Sequence, residues 1–286
     1  MAQTIPHNMR VISTNKEMSQ ACREAVKPVG LVPTMGALHA GHLSLVDQAR
    51  ADNLTVAVSI FVNPTQFGDD KDLQGYPRDM EGDLNMLRQH GVDLVYAPTV
   101  EEVYPDGFDT WVDVGPLGDK LEGLHRPGHF RGVATVVSKL FNLMQPDRAY
   151  FGQKDGQQVI VIQKLARDLD MGVEVVVMPT IREPDGLAMS SRNVQLTPEQ
   201  RQAAPVVHQA LCQAYLLWTG GERDGNTLRA AAQEILQAEP LVDSIDYVSV
   251  ASMSTLDEVE RVSDRAMVSA AVHMGPVRLI DNIVLE

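Results

Sequence analysis

The stretch 54–62 limits this chain's fold more than any other. It is almost wholly apolar and rich in β-branched residues, as a strand covered on both faces must be. Strands of that kind belong to parallel sheets, whose crossovers lay helices on both faces. The surrounding pattern agrees. Further short strands are expected at 29–33, 92–96, 148–151 and 173–178, and helices at 16–26, 41–50, 78–90, 132–144 and 156–171. Met80, Leu84 and Leu87 make one apolar stripe, and Val159, Ile162, Leu165, Ala166 and Leu169 make another. The expected fold class is therefore α/β, a parallel sheet with helices on both faces. Ligands of such sheets sit beyond the carboxyl ends of the strands.

The alternation ends near residue 183. Thr197-Pro198-Glu199-Gln200 reads as a helix start, with Thr as N-cap, Pro at N1 and Gln at N3. One helix should run from there to Trp218 and stop at Gly220-Gly221. A second helix is expected over 226–238. Strands follow at 245–250, 266–273 and 277–285, the last two parted by Gly275-Pro276 as in a hairpin. The expected domains are 1–184 and a smaller α+β domain, 185–286, with an antiparallel sheet.

Composition removes several function classes. With 44% hydrophobic and 22% charged residues the chain of 286 residues reads as an ordinary globular protein. Its net charge of −14 argues against a nucleic-acid partner, which leaves a basic footprint. No apolar run approaches the roughly 20 residues needed to span a bilayer. The start, Met1 to Pro6, lacks the basic and apolar regions of a signal peptide, so a cytoplasmic protein is expected. Cys22 and Cys212 are the only cysteines. They offer neither a disulfide framework nor a cysteine-based zinc site, and are expected to be small buried apolar side chains.

The sharpest local feature is Pro33-Thr34-Met35-Gly36-Ala37-Leu38-His39-Ala40-Gly41-His42, between an expected strand and an expected helix. His39 and His42, three apart, project to one side of the first turn. The helix start adds unpaired N–H groups and the positive end of its dipole. Gly36 and Gly41 let a phosphate or a flat base approach the backbone. Two imidazoles there suit a polyphosphate whose α-phosphorus is under attack. Zinc fits poorly, since two histidines are only two ligands.

Four further clusters stand at strand ends or near the domain boundary. In Gly152-Gln153-Lys154-Asp155-Gly156-Gln157-Gln158, Lys154 suits a phosphate, Asp155 a ribose and Gln158 a polar substrate. In Met189-Ser190-Ser191-Arg192-Asn193, two hydroxyls and a guanidinium suit phosphate oxygens. Asn63-Pro64-Thr65-Gln66-Phe67 follows the buried strand and should face the ligand. Arg126-Pro127-Gly128-His129-Phe130-Arg131-Gly132 could hold carboxylates or phosphates. Each cluster alone also reads as an ordinary cap or turn, and Asp69 to Asp72 reads as solvated loop. Chance, however, would have scattered some of the five to the opposite edge of the sheet.

In order along the chain, these segments, with Phe61-Val62 and Tyr76-Pro77-Arg78, resemble the pantothenate synthetase family over the whole sequence. His-x-Gly-His alone is shared by a wide nucleotidyltransferase superfamily, whereas the ordered set is specific. The resemblance implies a Rossmann-like, doubly wound ATP-binding domain, a smaller C-terminal domain that lids the site, a homodimer and Mg²⁺. It implies a two-step ligation. Pantoate attacks ATP to give pantoyl-adenylate and pyrophosphate, and β-alanine then displaces AMP. Carried over by motif, Met35, Gly36, Ala37, Leu38, His39, Ala40, Gly41 and His42 would line the ATP site, with His42 as proton donor and His39 on the phosphates. Gly152, Gln153, Lys154 and Asp155 would bind ATP, and Ile181 would touch adenine through its backbone. Met189, Ser190, Ser191 and Arg192 would close on the phosphates. Gln66 and Gln158 would hold pantoate, with Asn63, Arg126 and His129 beside the substrates and Asp83 in the metal's outer shell. Position 153 is Gln where the family often has Glu, which matters if a carboxylate there orients Lys154. The alternatives are another nucleotidyltransferase of the superfamily, a fragment of a class I aminoacyl-tRNA synthetase, or an ATP-sensing module without turnover.

Overall fold

The computed structural model describes residues 9–68 and 70–286, Asp70 as backbone alone. The readings of Met1 to Pro6 as lacking a signal peptide and of Asp69 as solvated loop lie outside the described residues, whereas Asp70, Lys71 and Asp72, expected in the same loop, open the short helix Asp70–Gly75. Six strands form one sheet: β1 (Arg10–Ile12), β2 (Val29–Thr34), β3 (Thr55–Ile60), β4 (Leu94–Tyr96), β5 (Arg148–Gly152) and β6 (Glu174–Met178). Their order is β1-β4-β3-β2-β5-β6 and every pairing is parallel. All of β3 is buried, as its composition requires. Val58 stands level with Val32 on one side and Val95 on the other. The edge strand β1 has no counterpart among the expected elements: Arg10 and Val11 are exposed, so it carries no apolar run.

The chain divides into two compact units. The first holds the residues up to Gly118, Arg126–Gly152 and Val161–Met178, and the second holds Asp119–His125, Gln153–Ile160 and Pro179–Glu286. In the first, Leu45, Val46, Leu87 and Val92 pack with the valines of β2, β3 and β4. The outer ends of two expected stripes are not buried: Met80 is 44% exposed, and Leu169, past the end of the helix Gly156–Asp168, is 54% exposed.

In the second unit β7 (Ser244–Ser252), β8 (Ala266–Met274) and β9 (Val277–Leu285) form an antiparallel sheet. Gly275, at φ +58°, supplies the left-handed backbone that the β8–β9 turn needs. The helices Val206–Thr219 and Gly225–Ala238 bury Val207, Leu211, Leu228 and Leu236 with Val250, Val268, Val272 and Leu279 of the strands. The single helix expected from Thr197 to Trp218 is two, Pro198–Ala203 and Val206–Thr219. Pro205 separates them because it has no N–H to continue the ladder. The capping box of Thr197 and Gln200 forms as its sequence indicates. Cys22 is buried, whereas Cys212 is only half-buried, against expectation, with its Sγ 3.4 Å from His208 Nε2. No helix among the described residues is long and apolar enough to cross a membrane.

Candidate active site

β2 is where the strand order turns. The chain proceeds from it through β3 to β4 on one side and meets β5 and β6 on the other, and such a point opens a crevice at the strand ends. The turn after β2 is built tightly. Gly36 has φ +80° and Ala37 φ 52°, and a Cβ on Gly36 would stand 2.9 Å from Asp83 Oδ2. Asp83, from the helix Met80–Gln89, accepts the backbone N–H of Ala37 at 2.9 Å and of Leu38 at 2.8 Å. Burial pushes its carboxyl pKa up, against the pull of those two bonds. Asp83 thus spends one lone pair of each oxygen on the backbone of this turn.

This turn delivers His39 as the N-cap of the helix Ala40–Asp52. His39 Nδ1 accepts the N–H of Gly41 at 3.1 Å, and His42 Nδ1 accepts the N–H of His39 at 3.4 Å. A ring nitrogen that accepts carries no proton, so both imidazoles hold theirs on Nε2. The rings lie 4.1 Å apart between centroids. Two N–H donors at a helix N-terminus form a place to receive oxyanion charge.

The same unit gathers the second expected cluster. Gln66 is 9% exposed; its amide donates to Met35 Sδ at 3.2 Å and its Oε1 accepts from Asn63 at 3.1 Å. His129 Nδ1–H donates to the Gln66 carbonyl at 2.8 Å, and Arg126 Nη2 reaches the same oxygen at 3.4 Å. Asn63, 1% exposed, is committed to the turn: its Oδ1 accepts from Tyr104 at 2.8 Å and Thr65 Oγ1 at 2.9 Å, and its amide donates to Gly132 O at 3.2 Å. Tyr104, which sequence reasoning missed, thereby shapes the turn that carries Gln66. Met35, Gln66, Arg126 and His129 are thus brought together.

The second unit holds the other expected clusters. Lys154 and Asp155 lie in the short turn Gln153–Asp155, with Lys154 Nζ 3.6 Å from Asp155 Oδ1, and Gln158 follows in the first turn of the next helix. Gln157 is buried and structural: its Oε1 accepts the N–H of Glu122 at 3.0 Å and its amide donates to Lys120 O at 2.8 Å. Ile181 and Met189 stand at the two ends of a tight hairpin closed by Met189 N–H to Ile181 O at 3.0 Å. Ser190 caps the short turn Ser191–Gln195, its Oγ accepting from Arg192 N–H at 3.3 Å. Residues outside the expected clusters brace these loops. Arg182 forms a two-pronged ion pair with Asp281, and Asn282 donates to the carbonyls of Gln153 and Lys154. Their signal in the sequence is an adjacent acid and amide inside a strand whose one other polar residue is Arg278.

Among the described residues no group of three or more His, Cys, Asp or Glu side chains gathers to hold a metal. The pattern suits a polyanion and an acid held by neutral amides.

Known proteins match nearly the whole chain. The family model for pantoate-beta-alanine ligase matches residues 9–284. A pantothenate synthetase of Roseiflexus castenholzii is 56% identical over 278 residues, 97% of this chain and 100% of that protein. The crystal structure of pantothenate synthetase from Thermus thermophilus superposes with a TM-score of 0.92 at 48% identity, covering 96% of this chain and 99% of that one. A pantoate-beta-alanine ligase from Francisella tularensis, solved in complex with beta-gamma ATP and beta-alanine, has a TM-score of 0.79 at 34% identity, covering 96% and 97%.

Proposed function

The chain belongs to the pantoate–beta-alanine ligase family, and on that premise we propose that it condenses pantoate with β-alanine at the expense of ATP. The full-length match sets aside the other nucleotidyltransferases, the synthetase fragment and the sensing module. The observation that carries the reading is the pair His39 and His42, fixed as Nε2–H donors at the head of the helix Ala40–Asp52.

The chemistry follows from what a carboxylate lacks. It is a poor electrophile, so it is first made a good one. A pantoate carboxylate oxygen attacks the α-phosphorus, the bond to the β-phosphate oxygen breaks, and pantoyl-adenylate and pyrophosphate result. The β-alanine amine, having lost a proton, then attacks the acyl carbon. The C–O bond to AMP breaks, the nitrogen releases its second proton to solvent, and pantothenate and AMP leave. In this reading His42 donates a hydrogen bond to charge growing on the phosphate as pyrophosphate departs, and His39 steadies the same group. Gln66 and Gln158 bind pantoate, while Arg126, His129 and Asn63 keep Gln66 in place. Met35, Gly36, Ala37, Leu38, Ala40 and Gly41 line the nucleotide. In the second unit Lys154 serves the phosphates, Asp155 the ribose and Ile181 the adenine, with Gln153 shaping their turn, and Gly152 of the first unit leads into it. Met189, Ser190, Ser191 and Arg192 serve as the phosphate clamp. Catalysis rests on positioning and charge stabilisation.

Mg²⁺ would enter as the ATP complex and would offset charge on the phosphates, no group of three or more His, Cys, Asp or Glu side chains standing ready to hold it among the described residues. A homodimer in the cytoplasm, supplying pantothenate for biosynthesis, completes the proposal.

Pyrophosphate release tests it. With ATP, Mg²⁺ and pantoate the expected result is a burst stoichiometric with enzyme, turning to steady turnover and pantothenate when β-alanine is added. No pantoate-dependent release in either case would overturn the reading.

A further inference from the structure

Buried polar side chains inside a strand are costly unless every donor and acceptor is matched. β9 carries two in succession, Asp281 and Asn282, 4% and 5% exposed, amid buried Val277, Leu279 and Leu285. Successive residues of a strand leave opposite faces, and these two reach different loops.

Asn282 holds the turn of Lys154. Its amide donates to the Gln153 carbonyl and to the Lys154 carbonyl, both at 2.9 Å, and its Oδ1 accepts from Gln153 Nε2 at 2.8 Å. Both N–H bonds and the oxygen of the amide are used, so its orientation is fixed. The loop lies directly on the strands: a Cβ on Gly156 would stand 2.5 Å from Met267 Sδ and 3.0 Å from Asn282 Cγ.

Asp281 holds the hairpin of Ile181 and Met189. Its two oxygens take Arg182 Nη1 at 2.5 Å and Nη2 at 3.0 Å. Arg182 Nη1 also donates to Gly186 O at 3.1 Å across that hairpin, whose strands join through Glu183 N–H to Leu187 O at 2.8 Å. Asp281 itself is steadied by the N–H of Asn282 at 2.8 Å.

We propose that Asp281 and Asn282 are positioning residues for ATP: the middle of one strand, β9, sets both nucleotide loops of the second unit. The proposal rests on the function argued above and names the residues that tune its affinity for nucleotide. It also gives position 153 a role. The Gln153 amide bonds to Asn282, so it braces the turn and is not there to orient Lys154.

The test separates a positioning role from a merely structural one. In pantoate-dependent ATP–pyrophosphate exchange, KM for ATP and for pantoate are measured for the wild type, Asn282→Asp, Asp281→Asn and Gln153→Ala. The Kd of a non-hydrolysable ATP analogue is measured on the same proteins by calorimetry. In Asn282→Asp a carboxylate replaces the donor facing two carbonyls. ATP KM and analogue Kd should rise about tenfold or more, as the loss of one to two hydrogen bonds implies, with pantoate KM within about twofold. Asp281→Asn should move the same two constants, and Gln153→Ala should raise them less. A folded Asn282→Asp protein with lower Tm but ATP KM within twofold of wild type would overturn the proposal. If Asn282→Asp does not fold, Gln153→Ala decides, since it removes one bond from a half-buried position. An unchanged analogue Kd in that variant would equally overturn it. Exchange absent from the wild type would defeat the proposed function, while the analogue Kd values would still judge the two loops.

Discussion

Each imidazole of the pair at the head of the helix Ala40–Asp52 has two tasks on two nitrogens. Nδ1 caps the helix and Nε2 presents a proton. His42→Asn separates them, because an Asn Oδ1 lies near the place of Nδ1 and nothing replaces Nε2–H. Fold and Tm should survive, and the rate of pyrophosphate release should fall about 10²–10³-fold, the usual cost of one charge-stabilising donor. A rate within threefold of wild type would contradict the assignment, and Lys154→Ala should likewise nearly abolish adenylate formation. The cysteines give a second check. Burial raises the Cys22 thiol to about 11 and lifts that of Cys212 as well. In the native protein at pH 7.5 iodoacetamide should leave Cys22 unmodified and label Cys212 slowly, with both reacting freely in denaturant; rapid native labelling of Cys22 would refute its burial. The histidine pair is legible in sequence because its members lie on one turn. Asn63 reads as a substrate contact because its partners, Tyr104 and Gly132, lie 41 and 69 residues away.

Among the elements, the helix His129–Met144 meets the turn of Gln66 without a side chain between them: a Cβ on Gly132 would stand 2.5 Å from the Thr65 carbonyl. Gly132→Ala should push the two apart, costing about 1–3 kcal/mol as overpacking does. Because that turn holds Gln66, pantoate KM should rise several-fold while the Kd of an ATP analogue stays put. Equal effects on both would show that the helix serves stability alone. Elements were legible where one local rule decided them. The wholly apolar β3 and the capping box of Thr197 are of that kind. The break at Pro205 was not seen, because a proline within a helical pattern also reads as a kink. Short β1 was not seen, because pairing with β4 rather than composition makes it a strand.

At the scale of the whole molecule, the second unit depends on charges as well as on its apolar core. Arg278 reaches Glu122 at 2.6 and 2.8 Å and Asp246 at 2.7 Å, and Tyr247 donates to Glu122 at 2.7 Å. Burial tends to raise the Asp246 carboxyl, but the hydrogen bond and charge of Arg278 outweigh it and hold the group below its ordinary 3.8. A depressed folded value means that the unfolded chain takes the proton first. The stability it brings is therefore present above about pH 4 and lost as pH falls through the folded value. Arg278→Met strips the buried Glu122 and the half-buried Asp246 of their arginine and should cost about 3–5 kcal/mol at neutral pH. The gap in Tm between wild type and variant should narrow as pH falls below about 4, and a pH-independent gap would contradict the network. The parallel sheet and its strand-end motifs were legible from apolar runs and local spacing. Asp281, Asn282 and this ion network were not, because their partners come together only in the folded chain.

The central claim is that pantoate is activated as an acyl-adenylate, and the fate of one oxygen decides it. Pantoate labelled with ¹⁸O in its carboxylate is turned over with ATP and β-alanine, and the products are analysed by mass spectrometry. The account predicts one ¹⁸O in the phosphate of AMP for each pantothenate formed, and none in pyrophosphate. AMP free of label, or label in inorganic phosphate beside ADP, would contradict it.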